Sequence, residues 1–394
     1  MIQIGVVGKS NTGKSTFFKA ATLIDIEISN RIFTTIKPNQ GVAYVTAECP
    51  CKTQGVTCKP KNSKCIDGIR YIPVRLIDIA GLVPDAHKGK GLGNQFLTDI
   101  MTASGLIHVV DLSGGTDGEG NPVKAGSHDP EEDIHFLPRE IDYWMFQILK
   151  NNWKQLSKKA ETTDAKLEDL IYEQLSGLQL DYETVRDEVK KLDIEVHTKE
   201  DHLIHLVSEL RKRNKPIVIA GNKIDTEDGQ KNFKLLHDKH KHIIPCTAEC
   251  ELALREANEH GFIKYNPGDK DFEIVVAHRL TPKQISALEF IKEKILVKYE
   301  STGIQNILNH TVFETLDMIA VYPVTNIGKM TDKDGNVLPD VHLVPRGTHL
   351  KQFAGKIHTD LADKFIGGMK TDRKKVGAEY ELKDGDIVEI LTKK

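Results

Sequence analysis

An octet near the N-terminus has the residue types and spacing to hold a phosphate. Gly8-Lys9-Ser10-Asn11-Thr12-Gly13-Lys14-Ser15 follows an apolar run, residues 2–7, and precedes Thr16-Phe17-Phe18-Lys19-Ala20-Ala21. Read as strand, loop and helix, this is the context in which G-x-x-x-x-G-K-[ST] works. Gly8 and Gly13 let the backbone turn tightly enough for N–H groups to face an anion, and the helix start adds its dipole. Lys14 supplies a point charge for the β- and γ-phosphates, and Ser15 places a hydroxyl for Mg2+. Thr12 and Thr16 belong to the same expected cradle.

Three further apolar runs end in chemistry-bearing residues. Residues 74–77 run into Asp78-Ile79-Ala80-Gly81, where Asp78 can hold a magnesium shell and Gly81 can offer its N–H to a γ-phosphate. Residues 216–221 run into Asn222-Lys223-Ile224-Asp225. A carboxylate such as Asp225 can accept from both N1–H and N2–H2 of guanine, and adenine lacks that donor pair; the Lys223 stem can lie over the purine face. Residues 243–248 read as a last strand, ending in Thr247-Ala248, with the Ala248 N–H placed for guanine O6. Each exit alone would also suit a solvated strand end. Their order along one chain is what points to a nucleotide site.

Four such strand exits with helices between them call for an α/β architecture with a mostly parallel sheet. The ordered set (the octet, Phe33-Thr34-Thr35, Asp78-Ile79-Ala80-Gly81, Asn222-Lys223-Ile224-Asp225 and Thr247-Ala248) resembles the translation-factor-class GTPases. More closely, it resembles the YchF/Obg-like branch of the Obg superfamily in its archaeal and eukaryotic-type form. Residues 33–39, 78–84 and 88–97 carry the closer likeness, as do Pro345-Arg346-Gly347-Thr348, His358-Thr359-Asp360-Leu361 and residues 384–390, which resemble a TGS domain. The resemblance implies a P-loop GTPase domain with helices on both sheet faces, a helical insertion and a C-terminal β-grasp domain. It implies GTP and GDP as ligands, GTP hydrolysis as the reaction, and the ribosome or other structured RNA as partner. Thr35 would be the switch I threonine that joins Ser15 and Asp78 on Mg2+, with Thr34 as the alternative register, and Asn11 would bind K+. Lys14, Thr35 and Gly81 would act on the γ-phosphate. Leu82 stands where Ras-like relatives carry a water-orienting glutamine, so slow intrinsic hydrolysis is expected. His87 is either an in-chain substitute or a solvated loop histidine. An ATPase using the same pocket, and a non-switching RNA- or protein-binding scaffold, are the alternative functions; the full Asn-Lys-x-Asp tetrad favours GTP.

Composition narrows the classes. The 394 residues carry 54 Lys+Arg against 57 Asp+Glu, a net charge of −3, which excludes a globally basic nucleic-acid packer. With 39% hydrophobic and 28% charged residues, the chain can bury real cores and is not disordered by composition. No run approaches the ~20 apolar residues of a membrane span, and the first residues read as a strand rather than a leader. A cytoplasmic monomer is therefore expected, with no membrane partner. Six cysteines are too few for a disulfide scaffold, yet Cys49, Cys51, Cys58 and Cys65 fall in one short segment as C-x-C-x6-C-x6-C. Zn2+ binding, free thiols and disulfides are all open for them.

The expected organisation is a first part of the G domain over 1–130, with a Cys-rich insert at 46–68, and a helical insertion over 131–213. The second part of the G domain and a helical connector follow over 214–316, and the β-grasp domain over 317–394. In the insertion, Ile141, Met145, Ile148, Leu149, Trp153 and Leu156 recur at helical spacing, and Leu167, Leu170, Ile171, Leu175 and Leu178 do so again. Lys150, Lys154 and Lys158 share one helix face, either solvated or set against RNA phosphate, and Lys370, Arg373, Lys374 and Lys375 form a second basic cluster.

Overall fold

The structure, a computed structural model, describes residues 1–22, 40–79, 99–240 and 242–393; Thr34, Thr35, Gly81, Leu82 and His87 lie outside them. In chain order the strands are β1 (Gln3–Val7), β2 (Gln40–Glu48), β3 (Lys64–Ile66), β4 (Ile69–Asp78), β5 (Gly105–Asp111), β6 (Ile217–Asn222) and β7 (Ile243–Pro245). They continue with β8 (Ile263–Lys264), β9 (Glu273–Ile274), β10 (Met318–Val324), β11 (His342–Pro345), β12 (Phe365–Lys370), β13 (Lys375–Val376) and β14 (Ile387–Thr392). The chain folds into two compact units, each assembled from separated stretches: Gln3–Ala20 with Leu76–Ile307, and Met1–Ile2 with Ala21–Arg75 and Leu308–Lys394.

The larger unit is α/β. Its strands lie in the order β4–β1–β5–β6–β7, with β4 contributing its last residues. β1 with β5, β5 with β6, and β6 with β7 are parallel. All seven residues of β5 are buried, the pattern of a parallel strand covered on both faces. Gly5 permits close packing in β1: a Cβ there would stand 2.7 Å from Ile79 Cδ1 and 2.8 Å from Leu106 Cδ2. Because the strands are parallel, the loop after β1 and the ends of β4, β5, β6 and β7 all open on one edge of the sheet, where open α/β sheets bind ligands.

Between β5 and β6 the chain is helical. The first helix, Pro130–Thr162, opens with Pro at N1, an Asp129 cap that accepts from the Glu131 N–H at 2.9 Å, and three acidic residues in its first turn. Helices Leu167–Leu175 and Glu200–Asn214 pack against it, and Tyr182–Lys191 packs against those two. Ile141, Met145, Leu149, Leu170, Ile171, Leu175 and Leu178 are buried in their shared core; Ile148, Trp153, Leu156 and Leu167 pack at its border. Arg211 Nε reaches Asp142 Oδ1 at 2.6 Å inside this layer, tying the last helix to the first.

In the smaller unit β2 and β3 flank β4, and a second sheet runs β11–β10–β14–β12–β13. β10 and β14 pair in parallel, while β11 and β12 pair antiparallel to their neighbours. Helix Leu350–Ile357 lays Leu350 and Phe353 onto Ile319, Val321, Val344, Leu382 and Val388, which gives a β-grasp core. Among the described residues, no helix is long and apolar enough to cross a membrane.

Candidate nucleotide site

The loop after β1 is shaped by close approach. Gly8, at φ +154, leaves no room for a side chain, since a Cβ would lie 2.6 Å from Val109 O. Gly13, at φ +90, faces Asn222: a Cβ there would stand 2.2 Å from Asn222 Nδ2. Helix Lys14–Thr22 begins at once, with the Phe17 N–H bonded to Gly13 O at 2.8 Å. The Asn222 amide donates to Thr12 O at 2.9 Å, so the phosphate loop and the end of β6 are joined directly. Lys14 Nζ meets Asp78 Oδ1 at 2.6 Å, bringing the cation expected at the phosphates and the carboxylate expected at Mg2+ to one point.

A cleft of about 640 Å³ lies over these groups. Ser10, Asn11, Gly13, Lys14, Ser15 and Thr16 line one side, and Asn222, Lys223, Asp225, Thr247, Ala248 and Glu249 line the other. Its volume falls in the range of small-molecule and cofactor sites. Thr12 is buried beneath the cleft, and its hydroxyl donates to Lys9 O at 3.0 Å. The Asp225 carboxylate, half-buried, accepts no hydrogen bond from any described residue. The Ala248 N–H, expected to face guanine O6, donates to Asn222 Oδ1 at 3.0 Å. Thr247 is fully buried and caps helix Ala248–Glu259, with its hydroxyl accepting from the Cys250 N–H.

Two groups of supporting residues carry no motif. Asp111, at the buried end of β5, accepts at Oδ1 from the Ser113 N–H (3.0 Å) and hydroxyl (2.6 Å). At Oδ2 it accepts from the Thr116 hydroxyl (2.6 Å) and from Lys223 Nζ (2.7 Å). Burial pushes this carboxyl up, but bonds from Lys223, Ser113 and Thr116 outweigh it and hold it below the ordinary aspartate value. Lys223 Nζ also reaches Asn11 O at 3.3 Å, so Asp111 anchors the tetrad lysine over the phosphate loop. The second group centres on Lys9, which is 2% exposed. Its ammonium contacts Asp133 Oδ1 at 2.5 Å and Asp117 O at 2.6 Å, and His128 Nε2 stands 2.8 Å from the same Asp133 oxygen. Burial, with Lys9 nearby, pushes the imidazole of His108 in β5 down to about 3, so that ring is neutral. The Asn11 amide donates to Gly120 O at 2.9 Å, which fixes the 113–128 loop against the phosphate loop. No motif in the sequence marks Asp111, His128 or Asp133.

Elsewhere, the sulfurs of Cys49, Cys51, Cys58 and Cys65 all lie within 4.8 Å of one another, and all four cysteines are free. Burial raises the Cys49 thiol, but the Cys51 backbone N–H and Arg70 outweigh it and draw it below its usual value. Lys150 is paired with Glu200 at 2.8 Å, whereas Lys154 and Lys158 are exposed. Lys370 is bonded to the Tyr380 hydroxyl (2.7 Å) and Asp386 (3.1 Å).

Residues 3–134 match the family model of a 50S ribosome-binding GTPase, residues 220–326 that of an Obg-like GTPase YGR210-like, G4 motif-containing domain, and residues 327–392 that of a TGS domain. The GTP-binding protein MJ1332 of Methanocaldococcus jannaschii is 46% identical over 396 residues, covering 100% of this chain and 99% of its own. The ribosome-binding ATPase YchF of Mycoplasma pneumoniae is 28% identical, covering 93% of this chain and 88% of its own. Among solved structures, a GTP-binding protein from Pyrococcus horikoshii superposes with a TM-score of 0.79 at 38% identity, covering 99% of this chain and 100% of that one.

Proposed function

The chain belongs to the YchF/Obg-like branch of the Obg superfamily of P-loop GTPases, and from that premise we propose that it is a GTP-hydrolysing switch that works on the ribosome or other translation RNA. The observation that carries the reading is the shared cleft. Lys14 and Ser15 line its phosphate end, while Lys223 and Asp225 line its base end. The Asp225 carboxylate, with no hydrogen-bond partner among the described residues, suits the N1–H and N2–H2 donors of guanine.

Hydroxyl and carboxylate oxygens are the hard ligands Mg2+ prefers, and Ser15 and Asp78 offer them beside Lys14. When bound, Mg2+ supplies charge neutralisation at the β- and γ-phosphates. Lys14 binds and orients the same oxygens, the N–H groups from Gly13 onward cradle them, and Lys223, held by Asp111, presents its stem to the base. K+ is assigned to Asn11, whose side-chain oxygen stays available while its amide nitrogen holds Gly120. Thr35, Gly81 and His87 keep their proposed roles in closing on the γ-phosphate. The cytoplasm and a monomeric state go with this reading, and the ribosome enters it through relatives that carry that word in their names.

The test is displacement of a fluorescent guanine nucleotide by GTP and by ATP on the purified chain, followed by single-turnover hydrolysis with and without ribosomes. GTP should compete better. ATP is the second reading, favoured by one observation: the Ala248 N–H that would meet guanine O6 is committed to Asn222. Equal competition would favour it.

A further inference from the structure

We propose that Cys49, Cys51, Cys58 and Cys65 hold a tetrahedral Zn2+, and that the metal makes the 46–68 insert a clasp for the β-grasp module. With Zn–S bonds of ~2.3 Å, the sulfurs of a tetrahedral site stand about 3.8 Å apart. Here Cys51 and Cys65 are 3.8 Å apart and Cys49 and Cys58 4.0 Å. A disulfide needs ~2.05 Å, which neither pair approaches.

The backbone is arranged to deliver the four sulfurs. Pro50 opens the short helix Pro50–Gln54 directly after Cys49. Gly55, at φ 63, reverses the chain, and the Val56 N–H closes the turn onto Cys51 O at 3.1 Å, which returns Cys58 toward the first two cysteines. Cys65 sits on β3, which Asp67 (φ 49) and Gly68 (φ 79) fold back onto β4 as a two-residue hairpin turn. The Cys49 N–H donates to Gly68 O at 2.8 Å, seating the first cysteine on that turn.

An independent observation points to negative charge at the cluster. Arg70, the cross-strand partner of Cys65, is 0% exposed. Its guanidinium bonds Ser63 Oγ (2.9 Å) and Leu338 O (3.0 Å) and lies over the Tyr322 ring at 5.3 Å. Among the described residues its Nε has no hydrogen-bond partner and no carboxylate is paired with it; Asp340 is a carboxylate within its electrostatic reach. A buried cation without a counter-charge is costly. Zn2+ with four thiolates carries a net charge of −2, and Cys49 lies within electrostatic reach of Arg70. The filled site places negative charge at the cross-strand neighbour of Arg70, where no carboxylate is paired with it.

The same segment grips the module. The Lys59 N–H donates to Val337 O at 2.8 Å and the Lys61 N–H to Pro339 O at 2.7 Å. The Asn62 side chain bonds both the N–H (3.0 Å) and the carbonyl (2.8 Å) of Val341, and Lys61 Nζ reaches Asp332 (2.6 Å) and Asp334 (3.0 Å). Residues 58–62 have no regular secondary structure of their own to hold that register. The metal at Cys58 supplies it at one end, and Arg70 links the cluster to Leu338 and Tyr322.

The experiment uses full-length protein purified under reducing conditions. Elemental analysis should find one zinc per chain, Co2+ substitution should give thiolate charge-transfer absorption, and Cys58→Ser with Cys65→Ser should lose both. Amide exchange is then compared on wild-type protein before and after metal removal by a mercurial with chelator. Exchange at 56–66 and 326–341 should rise about tenfold, return on adding Zn2+, and leave β12 and β14 unchanged. A chain that takes up neither Zn2+ nor Co2+ overturns the site. A metal-loaded chain whose 326–341 exchange ignores metal removal overturns the clasp and leaves the site standing. If the serine variant does not fold, the wild-type comparison still decides both.

Discussion

Asp111→Asn tests whether the buried end of β5 positions the base-reading lysine. The side chain keeps its size and loses its charge. Asp111 accepts four hydrogen bonds between 2.6 and 3.0 Å, one of them from the Lys223 ammonium. A hydrogen bond to a charged group is worth ~1.5–3 kcal/mol, and one amide nitrogen of the new Asn would face Thr116 or Lys223 as a donor meeting a donor. Losing the lysine bond and one hydroxyl bond costs about 3–4 kcal/mol, and an amide is cheaper to bury than a carboxylate by about 1–2 kcal/mol, so the net loss is about 2 kcal/mol. Freed from Asp111, the Lys223 stem no longer stands over the base, and guanine-nucleotide affinity should fall about tenfold. Urea unfolding and titration with a fluorescent GDP measure the two quantities. The pH dependence has a definite sign. The folded Asp111 carboxyl lies below its unfolded value, so its stabilisation is present above the ordinary aspartate range. It is lost as pH falls through the folded value, and the gap between wild type and variant should therefore hold at neutral pH and close only below about pH 4. A variant as stable as wild type, with unchanged affinity, refutes the anchoring role.

Other perturbations separate base, loop and cation. Asp225→Asn should erode the preference for GTP over ATP and favour xanthine nucleotides in the displacement assay, with little change in melting temperature because the carboxylate has no described partner. Gly13→Ala places a Cβ 2.2 Å from Asn222 Nδ2 at φ +90; it should lower unfolding stability by about 2–3 kcal/mol and abolish nucleotide binding, and wild-type affinity in a titration would contradict the close-approach argument. GTP turnover should be slow and rise when K+ replaces Na+ at constant ionic strength. Asn11→Ala should remove the rise and, through loss of the bond to Gly120 O, about 1 kcal/mol of stability.

What could be read in advance was whatever the chemistry confines to a contiguous stretch. Gly8 to Ser15 would have to be adjacent to wrap a phosphate, and Asn222 to Asp225 to follow one strand to meet one base, so spacing alone was enough to propose them, and the fold brings both to one cleft. The helical insertion showed itself because Ile141, Met145 and Leu149 repeat at the helical period. Lys9 was hidden because its partners Asp117, His128 and Asp133 lie more than a hundred residues away, and only folding reveals that a loop lysine is buried. Asp111 was hidden for the same reason, with Lys223 112 residues distant. That the Ala248 N–H bonds Asn222 was hidden because the side-chain carbonyl comes from 26 residues earlier in the chain. Nor does a cysteine count say which way Arg70 points, and that orientation is what gives the cysteine cluster its electrostatic meaning.

Lys9 also gives the phosphate loop a long reach. Through Asp133 it is fastened to the first turn of the Pro130–Thr162 helix, whose 33 residues at ~1.5 Å each extend about 50 Å. Taken as one rigid rod across Pro138, the helix would be a lever with its fulcrum beside the loop. A tilt of about 5° at that end sweeps the far end through about 4 Å, more than a whole hydrogen-bond length, from a movement at the fulcrum of a few tenths of an ångström. The exposed lysines Lys154 and Lys158 ride on the far half of this arm, where such a displacement would be largest.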